Sequence, residues 1–154
     1  MKSTPVLATL FLILAGGGTG ESQAANSPRR DPAAVVAERR RLMVEAGTLL
    51  QEIWDRLAQD DLSGVATAAA ALAKRAGRWP GLFPPESFVP PSRALPIIRD
   101  RFPEFRRLSE GLHRAAADLG RRAAAGERKA VVAGLPRLAR ACRECHRAFV
   151  QDPF

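Results

Sequence analysis

Between Asp31 and Phe149 apolar residues recur at steps of three and four in four successive blocks, the spacing of one buried helix face. The first block runs through Val35, Leu42, Met43, Ala46, Leu49, Leu50, Ile53 and Leu57, with Arg39 on the same stripe. Asp31-Pro32 marks its start, a capping acceptor followed by the residue best tolerated at the first helical position. Asp60-Asp61 can cap a second helix with the stripe Leu62, Val65, Ala69, Leu72, Ala73 and Ala76, and Gly77 ends it. A third stripe joins Phe105, Leu108, Leu112, Ala115, Ala116, Leu119 and Ala123, closed by Gly126. Ser92 is the expected cap of this helix, and Pro103 is expected to restart or kink it. The fourth, from about Glu127 to Phe149, joins Val131, Leu135, Leu138, Cys142, Cys145, His146 and Phe149, and Pro136 is expected to kink or split it.

Residues 78–91 hold five prolines and can be neither helix nor central strand. They also carry Trp79, Leu82, Phe83 and Phe88, which predicts an ordered crossover rather than a loose linker. The fold class that follows is all-α, a four-helix bundle with one longer crossover between helices 2 and 3.

The first residues follow a different pattern. Lys2 precedes an uncharged apolar run from Pro5 to Ala15, glycines break it at 16–20, and Ser22-Gln23-Ala24 offers small residues at a cleavage spacing. Residues 1–24 are therefore expected to be a cleaved signal peptide, leaving a mature domain of 25–154. The run is too short to span a bilayer, and Gly17 stands where a lipid-modified cysteine would be needed, so no stable membrane anchor is expected. The abundance of arginine and alanine suggests a bacterium of high genomic GC content, and hence the periplasm as destination.

Composition narrows the function classes. The chain has 154 residues, with 24 Lys+Arg against 16 Asp+Glu and a formal net charge of +8. Loss of residues 1–24 removes Lys2 and Glu21, one charge of each sign, so the mature chain keeps that charge. The basic residues are spread over every helix without a block interleaved with aromatics, and nucleic acid is not an expected partner outside the cytoplasm. The charge instead suits steering towards an acidic redox partner protein.

One constellation carries chemistry: Cys142-Arg143-Glu144-Cys145-His146. On a helix, positions i, i+3 and i+4 share a face, so both thiols and the imidazole project the same way. C-x-x-C-H is the attachment pattern of c-type haem: each thiol adds to one vinyl group, and the adjacent histidine binds the iron. A redox C-x-x-C calls for a βαβ setting, and no strand pattern is visible. A zinc site needs a further ligand, usually from a second cluster. A disulfide between i and i+3 of a helix has poor geometry. Haem c, covalent through Cys142 and Cys145 with His146 on the iron, is the expected cofactor.

With these residues in hand, the chain resembles the class II c-type cytochromes, the cytochrome c′ and cytochrome c-556 group, over essentially its whole mature length. The resemblance rests on Arg39-x-x-x-Met43, Leu82-Phe83-Pro84-Pro85, Ala94-Leu95-Pro96, and Cys142–His146 followed by Phe149. The family pattern is broken where Arg99 replaces a common tryptophan and where Val150 replaces a common basic residue. The resemblance implies that Arg39, whose other reading is a solvated arginine, pairs with a haem propionate. A guanidinium suits a carboxylate geometrically. Met43 is the only methionine after the initiator and shares a helix face with Arg39. At its position the low-spin family members carry a coordinating methionine, and many high-spin members an uncoordinated bulky residue. Coordination by Met43 implies an electron carrier rather than an enzyme; an open site implies a five-coordinate protein binding nitric oxide or carbon monoxide. A helical binding bundle without haem is the weakest alternative. Family members often pair through helices one and two, which makes a homodimer an expectation by analogy. His113 lies among polar residues off the third stripe and is expected to face solvent.

Overall fold

The structure is a computed structural model that describes residues 30–152. The predicted signal peptide, residues 1–24, lies outside the described residues. Four helices account for most of the fold: α1 (Pro32–Ala58), α2 (Leu62–Ala76), α3 (Phe102–Ala124) and α4 (Arg128–Phe149). Local chemistry explains most of their ends. The Asp31 carboxylate accepts from Ala33 N at 3.1 Å, and that of Asp61 accepts from Gly64 N at 2.8 Å, which satisfies otherwise orphaned first-turn donors. Gly126 adopts φ +73° between α3 and α4, a conformation that glycine reaches without steric cost.

The start of α3 differs from expectation. Ser92 does not cap it; the helix begins ten residues later, at Phe102, with Pro103 in its first turn, where a missing N–H matters least. The crossover is correspondingly longer and holds three short 3₁₀ turns, Trp79–Leu82, Pro85–Ser87 and Pro96–Ile98. Nor does Pro136 split α4, which runs through it without a break. The carbonyl that loses its donor belongs to Val132, which is 49% exposed, so water can serve it.

α1 packs on α2, α2 on α3 and α3 on α4. α1 and α4 meet at the start of α4, where Arg128 Nη1 donates to Leu57 O at 3.0 Å, and enclose a cavity towards the end of α4. Small residues bring α2 and α3 close: a Cβ at Gly120 would lie 3.4 Å from the Ala66 carbonyl oxygen. The principal core gathers Leu42, Ile53, Leu72, Leu112, Leu119 and Leu138 with the alanines of α2 and α3. A satellite cluster of Ile98, Phe105 and Phe149 joins the end of α4 to the crossover. There Leu95 N donates to Phe149 O at 2.9 Å and Gln151 N to Arg93 O at 2.8 Å, and Ala94 forms an isolated antiparallel bridge with Val150. The crossover is thus ordered and tied to the chain that leaves α4.

Candidate functional site

Cys142, Cys145 and His146 occupy the last turns of α4, and all three line one cavity of about 400 Å³. Met43, Ala46, Gly47 and Leu50 of α1 line it as well, so the cavity lies between α1 and the last turns of α4. Leu72, Trp79, Phe105, Leu108 and Leu112 complete a mainly apolar lining. Both thiols are free, and burial pushes both upward in pKa, Cys145 to about 11. Burial, followed by the nearby charge of Arg93, lowers the pKa of His146. The site therefore holds two neutral thiols and favours a neutral imidazole, the form that binds a metal ion. Among the described residues no cluster of three or more His, Cys, Asp or Glu side chains can hold a metal by itself, which leaves zinc without further ligands.

A second hollow, of about 370 Å³, shares Met43 and His146 with the first, and Arg39, Arg40 and Arg93 line it. Val150 lies on its wall, so the basic charge beside His146 comes from Arg93 of the crossover. Arg39 is only 5% exposed, which excludes the solvated reading. Its Nη1 donates to Leu82 O at 3.3 Å and Ser87 Oγ at 3.1 Å. Its Nη2 donates to Ser87 O at 2.5 Å and Ser92 Oγ at 3.1 Å. The guanidinium also stands over the Phe83 ring, 4.5 Å from its centroid. Arg39 thus braces the crossover from α1, and Ser92 serves this arginine. Its Nε–H carries none of these bonds. Arg99, at the other departure from the family pattern, stacks over Phe88 at 4.9 Å.

The fold thus brings Met43, Cys142, Cys145 and His146 to one cavity and sets Arg39 in the adjoining hollow. His113 is exposed, as expected, with Nδ1 2.9 Å from Ala73 O. Two lining residues were not singled out from sequence. Trp79 was legible only as a packing residue of the crossover, and nothing local marked Arg93. The lining suits a haem: two thiols and an imidazole on one helix face, an apolar gap between two helices, and arginines in the adjoining hollow that could pair with carboxylates. One buried donor, Trp79 Nε1–H, lacks a protein partner among the described residues.

The sequence pattern of the cytochrome c′ family matches residues 34–150. Among curated proteins no sequence is significantly similar. Solved structures are similar in fold. Cytochrome c′ from Thermochromatium tepidum is 24% identical, with a TM-score of 0.73 over 80% of this chain and 100% of that one. A cytochrome c′ with ligand-controlled dimer dissociation is 22% identical, with a TM-score of 0.73 over 80% and 99% of the two chains. A ferrous variant of the Alcaligenes xylosoxidans protein with bound NO is 16% identical, with a TM-score of 0.72 over 80% and 98%. By the match along 34–150 and by its fold, the chain belongs to the cytochrome c′ family, whose members carry covalently bound haem c.

Proposed function

We propose that this chain is an exported electron carrier. Cys142 and Cys145 hold one haem through thioether bonds, His146 is one axial ligand and Met43 the other. Bound haem supplies a one-electron iron couple, and Met/His ligation raises its potential into a range suited to electron transfer. The observation that carries this reading is that Met43 of α1 and His146 of α4 line one cavity together with both thiols. The apolar walls exclude water, and the bundle limits rearrangement when the charge changes. Arg39 and its neighbours in the adjoining hollow offset the propionate charge. Residues 1–24 direct the chain to the periplasm. Among the described residues no helix is long and apolar enough to cross a membrane.

A second reading has a specific observation in its favour: one of the similar structures holds nitric oxide. In that reading Met43 only covers the distal face, and an open iron takes nitric oxide or carbon monoxide. One experiment tests both. Optical spectra of the purified ferric and ferrous protein are recorded with and without carbon monoxide, and the colour is then extracted with acidified organic solvent. Low-spin spectra, indifference to carbon monoxide and colour that stays on the polypeptide support the carrier. High-spin spectra with ready carbon monoxide binding support the gas-binding protein. Extractable colour refutes thioether attachment in either case.

An acidic redox protein is the partner this basic chain suits, and the rate of electron exchange with such a protein falls as ionic strength rises. A homodimer has its support in the dimer dissociation of one similar cytochrome c′.

A further inference from the structure

Trp79 is 6% exposed, yet its Nε1–H is the one buried side-chain polar atom without a hydrogen-bond partner among the described residues. Buried polar groups are almost always partnered, so an orphan on a cavity wall points to an acceptor that the cavity's occupant brings. Trp79 stands on the wall of the cavity that Met43, Cys142, Cys145 and His146 also line. Ser109 Oγ, on the same wall, donates to Ala76 O at 3.1 Å, and no hydrogen bond joins it to the indole.

The position of the indole is set from α1. Trp79 opens the 3₁₀ turn Trp79–Leu82, and the Leu82 carbonyl at its other end accepts from Arg39 Nη1. Three residue steps of a 3₁₀ helix advance about 6 Å. Trp79 and the Arg39 contact are thus held at the two ends of one short turn, one on the cavity wall and one beside the arginine hollow.

We infer that Trp79 Nε1–H donates a hydrogen bond to one of the two haem carboxylates. This rests on the haem reading above. The strong hydrogen-bond acceptors of a haem are its two carboxylates, which sit side by side on one edge of the ring. The basic hollow of Arg39, Arg40 and Arg93 receives charge from that edge, and Trp79 supplies a neutral donor deeper in the fold. Trp79 is therefore a positioning residue that fixes how far the carboxylate edge enters the bundle.

The test uses holoprotein labelled with ¹⁵N-tryptophan, which contains two tryptophans. Trp54 is 46% exposed and serves as the reference. In the ferrous protein the Trp79 indole N–H should exchange slowly and resonate downfield, the Trp54 N–H should exchange fast, and carbon monoxide should leave the Trp79 signal in place. Trp79→Phe should remove the slow signal, keep the covalent haem and lower the midpoint potential, because the carboxylate charge is then less compensated. Trp54→Phe should leave the potential unchanged. Two fast-exchanging indoles, or a potential unchanged in Trp79→Phe, overturn the inference. A Trp79 signal displaced by carbon monoxide also overturns it, by assigning the donor to a distal ligand. Should Trp79→Phe fail to fold, the exchange and carbon monoxide measurements on wild type decide alone. Wild-type protein without covalent haem overturns the underlying haem reading, and this inference with it.

Discussion

Met43 and His146, 103 positions apart in the chain, line the same two hollows from α1 and α4. The space between these stretches of the two helices is the candidate site. A haem held there would have an imidazole within reach from one helix and a thioether from the other.

Replacing that thioether is the most direct probe of the axial pair. If Met43 is a ligand, Met43→Ala converts a low-spin iron to high-spin, lowers the reduction potential and opens the site to carbon monoxide. Optical spectra and carbon monoxide titration of wild type and variant check this. Identical spin states in the two proteins refute coordination.

The cavity between α1 and α4 has a consequence for folding. A group that binds only the folded chain adds its binding free energy to stability, and a porphyrin buries a large apolar surface. Apoprotein made without haem attachment is expected to keep helical circular dichroism but to melt broadly, while holoprotein melts sharply and at higher temperature. Calorimetry of both forms tests this, and an apoprotein with an equally sharp melt at the holoprotein temperature would overturn it.

Arg39 gives a stability prediction that does not depend on haem. Its four hydrogen bonds reach Leu82, Ser87 and Ser92 of the crossover. Arg39→Ala leaves the Ser87 and Leu82 carbonyls without these donors, at a cost on the order of 3 kcal/mol, since bonds to charged donors contribute about 1.5–3 kcal/mol each and act together. Arg39→Lys keeps the charge but not the fork, and should recover less than half of the loss. Denaturant unfolding of the three proteins measures both effects.

Acid should loosen the bundle through its inter-helix ion pairs. The hydrogen bond from Arg122 holds the Asp118 carboxyl below its ordinary value of 3.8, helped by the charges of Arg122, Arg137 and Arg121. Arg137 lies on α4 and reaches Asp118 of α3 at 2.7 Å. The hydrogen bond from Arg75 of α2 likewise holds Glu45 of α1 below 4.5. A carboxyl whose pKa is depressed by folding contributes its full stability above the unfolded pKa and loses it as pH falls through the folded one. Stability from these pairs should be flat above about pH 5 and decline below about pH 4. Asp118→Asn should lower stability at neutral pH and weaken the acid dependence; an unchanged acid slope would exclude Asp118 as a contributor.

What the sequence determined by itself is local. Apolar spacing set the four helices, Asp31, Asp61 and Gly126 set three of their ends, and the i, i+3, i+4 spacing put Cys142, Cys145 and His146 on one face. Each of these depends on contacts within a few residues, which a linear pattern records. The tertiary structure decided what depends on distant partners. Arg39 stands in a run of three arginines that reads as solvated, yet it is buried because carbonyls and hydroxyls 43 to 53 positions away accept its protons. Ser92 reads as a helix cap and is drawn instead to that guanidinium. Pro136 reads as a break, but α4 runs through it at a place where Val132, whose carbonyl loses its donor, is an exposed residue. Trp79 reads as packing, and only the tertiary structure shows that it lines the cavity and that its buried N–H has no acceptor among the described residues.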